Sequence, residues 1–147
     1  MTPQLKLRMH YSRLAISRAA DLLTSWAKFE MGRLSTHVLD TSCGRPAVGM
    51  KIDLFRIENT VWQRLKTVLT NTDGRVNEPL LADDDLIAGR YRLDFHVGAY
   101  FRTMGVGLPD PPFLETVPIQ IGIADPSLHY HVPLLCSPWS YATYRGS

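Results

Sequence analysis

His37 in "LSTHVLD", Arg75 in "TNTDGRV", His129 and His131 in "HYHVPLL", and the closing run "TYRGS" hold the residues of this chain best suited to chemistry. An imidazole titrates near neutral pH, so it can take a proton from water or give one to a leaving group. A guanidinium stays charged and presents a planar fork that suits carbonyl and carboxylate oxygens. His129 and His131 stand two residues apart, so on a strand both rings leave the same face and could hold a metal. No carboxylate or cysteine at matching spacing completes such a ligand set. Each group also has a plainer role. His37 can be a solvated or hydrogen-bonded strand histidine, and Arg75 a turn cation pinned behind Gly74. Far apart in sequence, they make a site only if the fold gathers them.

The positioning elements follow from periodicity. After residue 33 the apolar pattern has a period of two. Met50, Ile52 and Leu54, with Val48, share one face in "VGMKIDLFRI". Tyr91, Leu93, Phe95 and Val97 alternate with polar residues in "RYRLDFHV", as do Val117, Ile119, Ile121 and Ile123 in "TVPIQIGIA". Such alternation marks strands with one buried face. Pro118 cannot donate to a ladder, so its strand belongs at a sheet edge. Further strands are expected at 34–40, 62–70 and 129–135, with turns at "SCGRP", "NTDGR" and "GLPDPP". One short helix is expected in "LLADDDLIAG", ending near Gly89. Seven or eight short strands and one helix read as an all-β sandwich.

Residues 1–32 differ. Ala15, Ala19, Leu22, Leu23 and Trp26 recur at helical spacing behind Ser12, with Arg13, Arg18 and Lys28 on the polar face. An organelle-targeting presequence shares that character, but Asp21 and Glu30 argue for an upstream extension, with Met31 an alternative start. The domains expected are therefore an N-terminal extension, 1–32, and a strand-built domain, 33–147.

Lys plus Arg at 16 against Asp plus Glu at 14 leaves +2, too little to argue for a nucleic-acid partner. No apolar run approaches the roughly 18 residues of a membrane span, and the end carries no Ser-Lys-Leu-like address, so the cytoplasm is the default location. Cys43 and Cys136 read as reduced thiols rather than as a disulfide framework.

Together, "LSTHVLDTSCGRPA", "TNTDGRV", "HYHVPLL" and "SPWSYATYRGS" resemble the 5-hydroxyisourate hydrolases of the transthyretin-like protein family, in order and spacing, across residues 33–147. The resemblance implies a transthyretin-like sandwich of two four-stranded sheets with one short helix. It implies a homotetramer, a dimer of dimers, with active sites at the dimer–dimer interface. The activity implied is hydrolysis of 5-hydroxyisourate to 2-oxo-4-hydroxy-4-carboxy-5-ureidoimidazoline in urate degradation, without metal or other cofactor. Carried over by motif, His37, Arg75, His131 and Ser147 are the catalytic set. Tyr144, Arg145, Gly146 and His129, with His37 and Arg75, bind substrate. His37 is expected as general base, or shares that role with His131. The chain is expected to stop at Ser147 because its end forms part of the pocket. Two rival readings stay open: a carrier of aromatic ligands on the same sandwich, and a metal-binding module using His129 and His131.

Overall fold

The structure is a computed structural model and describes residues 31–146. The expected helix in residues 11–30 and the role of Ser147 lie outside the described residues. Element by element, the chain forms β1 (Arg33–Asp40), β2 (Arg45–Pro46), β3 (Lys51–Glu58), β4 (Val61–Leu69), β5 (Leu81–Ala82), β6 (Gly89–Phe95), α1 (Val97–Thr103), β7 (Val117–Ile123), β8 (Tyr130–Cys136) and β9 (Tyr141–Thr143).

Two sheets result. One runs β2-β1-β8-β9, with β5 also paired to β1; the other runs β4-β3-β6-β7. The expected sandwich is present, and one sheet gains a fifth strand because Arg33 and Leu34 pair with Ala82 and Leu81. A two-residue strand is too short to announce itself by alternation. β1 and β8 are parallel, with Ser35 beside His131 and His37 beside Pro133. Inward residues of both sheets, including Leu34, Val38 and Leu134 from one and Ile52, Leu93 and Phe95 from the other, share one core. Burying a side chain such as Phe95 completely contributes about 1.5–3 kcal/mol. β7 forms a sheet edge, as Pro118 requires.

The helix is not where it was expected. In "LLADDDLIAG" only Asp83–Asp85 form a single 3-10 turn. Asp83 has φ 52, a left-handed conformation that breaks a right-handed helix at its first residue. Leu80, Leu81 and Leu86 are instead fixed by burial in the core. The α-helix follows β6 directly, so Val97 is helical rather than the end of a strand. Val97, Tyr100 and Phe101 are buried at the i, i+3, i+4 spacing of a helix face. It ends at Gly105, φ 79, where the Gly105 and Val106 amides donate to the carbonyls of Arg102 and Phe101. Val48 also departs from expectation: it is exposed and precedes β3, which begins at Lys51.

Candidate active site

Alternation along β1 buries Leu34, Thr36, Val38 and Asp40 and turns Arg33, Ser35, His37 and Leu39 to the opposite face. Along β8 it buries Tyr130, Val132, Leu134 and Cys136 and turns His131 outward beside Ser35. The two core-facing polar groups of β1 are satisfied. Thr36 donates its hydroxyl to the Val132 carbonyl at 2.8 Å. Burial opposes the charge of Asp40, yet hydrogen bonds from the Ser42 hydroxyl and peptide N–H and from Tyr100 hold its carboxyl below the usual range. The strand is thereby held in register by its buried side, leaving the outer side for chemistry.

Arg75 reaches the same face through the turn that precedes it. The Asn71 side-chain oxygen accepts from the Asp73 and Arg75 amides at 3.0 and 3.1 Å, closing an Asx-type turn. Gly74 has φ 71, and its carbonyl accepts from the Val38 amide at 2.8 Å. A Cβ at Gly74 would lie 2.4 Å from the Val38 carbonyl oxygen, so only glycine lets the turn dock on β1. Docking pairs Arg75 with His37 across an antiparallel bridge. Among the described residues Arg75 takes part in none of the ion pairs.

The C-terminal run approaches from the other side. β9 pairs with β8, Thr143 opposite Leu134, and the register runs on to Gly146 opposite His131. Tyr144 therefore falls opposite Pro133, on the side of the imidazoles, and Arg145 falls on the other side. The Arg145 guanidinium carbon lies 4.8 Å from the centroid of the Tyr130 ring, whose strand position faces the core. Arg145 is thus the one residue of the described set that does not turn toward the histidines. It lines a cavity of about 410 Å³ at the sheet edge, together with Ile119, Gln120, Tyr144 and, from the strand between the two cavities, His131.

A smaller cavity, about 220 Å³, is lined by Arg33, Ser35, Arg75, His129, Tyr130 and His131. Although the smaller of the two, it brings Arg75 and His129 beside His131; His131 lines both cavities, and His37 lines neither. The electrostatics are consistent with close approach. Burial, then the Arg75 charge, lowers the pKa of His37, opposed by a backbone hydrogen bond and the charge of Asp73. Burial, then Arg75 and His37, lowers that of His131. Both rings are therefore held neutral at pH 7, the state in which an imidazole accepts a proton.

His37, Arg75, His129, His131, Tyr144 and Gly146 thus gather on or beside one face, and Arg145 does not. Ser35 and Arg33 were missed, although period-two spacing from His37 places both on its face. Asn71 was missed as well, and the spacing "NTDG" carried its signal. Among the described residues no three His, Cys, Asp or Glu side chains gather as a metal-binding group.

The family description "HIUase/Transthyretin family" matches residues 34–146. The 5-hydroxyisourate hydrolase 2 of Rhizobium meliloti (strain 1021) is 60% identical over 116 residues, 79% of this chain and 97% of that protein. A solved structure of Klebsiella pneumoniae 5-hydroxyisourate hydrolase superposes with a TM-score of 0.67 at 37% identity, over 80% of this chain and all (100%) of that one. Sea bream transthyretin, solved in complex with thyroxine, gives a TM-score of 0.70 at 27% identity, over 78% of this chain and 94% of that one. With a match over residues 34–146, which takes in both sheets and His37, Arg75, His129, His131 and Gly146, the chain belongs to the HIUase/Transthyretin family.

Proposed function

We propose that the protein hydrolyses 5-hydroxyisourate, an oxidised purine of urate degradation, on the outer face of the β1–β8 sheet. The observation that carries this reading is the juxtaposition of His37 and Arg75 across one bridge, with His131 close enough that Arg75, after burial, helps to lower its pKa. Support for the substrate comes from relatives of the name given above, which this chain matches over nearly their whole length.

His37 takes a proton from water, and the water oxygen attacks the ring carbonyl carbon. Arg75 holds the developing oxyanion with its charged fork. As the C–N bond breaks, an imidazolium returns a proton to the departing nitrogen, and the new carboxylic acid ionises. His131 faces the same cleft and shares the proton traffic. His129 and Tyr144 line the approach, and the motif implies a part in the reaction for Ser147. The chain's own imidazoles and guanidinium supply these steps without a metal.

The assembly that goes with this reading is a homotetramer, a dimer of dimers, with the β1–β8 face at the dimer–dimer interface. Trp139, Tyr141 and Tyr144 are exposed at and beside the edge strand β9, and a protein partner would cover such a surface. Free Cys43 and Cys136 fit a reducing compartment, taken here as the cytoplasm. Among the described residues no helix is long and apolar enough to cross a membrane.

The test follows ultraviolet loss of freshly generated 5-hydroxyisourate above its spontaneous decay. Turnover proportional to enzyme concentration is expected. Saturable binding with no acceleration would make the protein a carrier instead.

A further inference from the structure

We propose that Ser35 and Gly146 are positioning residues for His131: Ser35 occupies Nδ1, Gly146 leaves room along the opposite flank, and Nε2 alone is left to meet water and substrate. This rests on the reading that His131 takes part in the hydrolysis.

Three neighbouring chain segments place one residue each in a single cross-strand row. Ser35 pairs with His131 in the parallel β1–β8 ladder, and His131 pairs with Gly146 across an antiparallel bridge. The Ser35 hydroxyl oxygen lies 2.8 Å from Nδ1 of His131. On the far side the Gly146 amide donates to the His131 carbonyl at 2.8 Å, which draws the two backbones together. A Cβ added at Gly146 would lie 2.7 Å from His131 Cδ2 and 3.2 Å from its Cβ and Cγ. Nδ1 and Cδ2 are the two ring atoms bonded to Cγ, so the two partners flank the imidazole on opposite sides. Only the Cε1–Nε2 edge remains, directed away from the strand that carries the ring.

Two consequences follow. The ring cannot rotate about its Cβ–Cγ bond without losing the serine or meeting Gly146. The hydroxyl can donate to a bare Nδ1 or accept from a protonated one, so it keeps its hold on the ring whichever nitrogen carries the proton. A ring held in one orientation is ready for proton transfer, whereas a rotating ring is productive part of the time.

The experiment uses the full chain with 5-hydroxyisourate as substrate. Ser35→Ala is expected to lower kcat about tenfold with little change in KM, the loss of one hydrogen bond. Ser35→Thr, which keeps the hydroxyl, should restore most of the rate. Gly146→Ala should cost at least as much as Ser35→Ala, with the circular dichroism unchanged. In a His131→Ala background, Ser35→Ala should add no further loss. Equal loss in both backgrounds would mean a general structural role and overturn the proposal, as would a normal rate for Ser35→Ala beside a crippled His131→Ala. A normal rate for His131→Ala would overturn the reading of His131 itself, and the proposal with it. Nitrogen-15 spectra of the unaltered enzyme give a measurement independent of any variant's folding. A hydrogen-bonded Nδ1 of His131 is expected, and an Nδ1 open to solvent would sink the idea.

Discussion

The outward faces of the two sheets carry similar residue types and treat them oppositely. On the β4-β3-β6-β7 sheet, charges are matched. His96 Nε2 lies 2.7 Å from the buried carboxylate of Asp53, Lys51 approaches the same oxygen at 3.5 Å, and Arg92 pairs with Asp94 at 2.8 Å. Arg92 also sits over Phe55 and Trp62, at 4.6 and 5.0 Å from their centroids. On the β1–β8 face, His37, His131 and Arg75 crowd together, and none forms a carboxylate ion pair among the described residues. Burial opposes the charge of Asp53, yet Thr67, His96 and Lys51 together hold its pKa down. Burial and Arg75 hold the imidazoles on the other face neutral. One face uses its charges on itself; the other keeps them for a ligand.

The comparison can be broken or sharpened by substitution. The largest effects belong to the unmatched face. His37→Ala and Arg75→Ala should each reduce kcat/KM by about 100-fold or more with the fold retained. Arg75→Lys should recover little, because an ammonium lacks the planar fork. Near-normal rates in any of these would remove that residue from the mechanism. Gly74→Ala should act on both fold and activity, since the docked turn has no space for a methyl group beside the Val38 carbonyl. A loss of about 1–3 kcal/mol in denaturant unfolding is expected, with a lower rate.

A pH series sharpens the contrast further. Both imidazoles titrate below their ordinary value of 6.5. Each is neutral above that value, so the rate should be sustained there and fall as pH drops through the lowered pKa. The folded state disfavours both protons relative to the unfolded chain, so stability should weaken in the same direction. An acid limb lying above 6.5 would contradict the burial and the neighbouring Arg75 charge.

The matched face should affect stability and leave the rate alone. Asp53→Asn is expected to lower unfolding free energy by about 1.5–3 kcal/mol at neutral pH, because the hydrogen bonds of a buried carboxylate are weakened. The folded pKa of Asp53 is depressed, so its contribution is present above the unfolded carboxylate value and lost as pH falls through the folded one. At low pH the variant should approach the parent in stability, and turnover should be unchanged throughout. Trp62→Ala is the mildest change on that face, costing about 0.5–1 kcal/mol of cation–π contact with Arg92.

The strand pattern was readable to different depths along the chain. β1, β6, β7 and β8 were legible because alternation survives wherever one face is buried. "LLADDDLIAG" misled, because its leucines serve a strand and a tight turn, and the left-handed backbone at Asp83 leaves no periodic trace. The true helix hid inside a strand-like run, since Val97 continues the period of two before Tyr100 and Phe101 reveal a period near 3.6. For the site, motif order pointed to His37, Arg75, His131 and the "YRGS" run. The same run concealed that Arg145 alternates away from Tyr144 and Gly146.

By itself the amino-acid order determined which residues could share a face, because side-chain direction alternates strictly along an extended chain. It also determined where turns must fall, through Asn71, Gly74 and the prolines. Only the tertiary structure decided which strands became neighbours. The parallel register of β1 on β8 puts Ser35 against His131, and the docked turn puts Arg75 against His37. Those pairings depend on how two sheets close over one core, a balance of packing that no local stretch of residues carries.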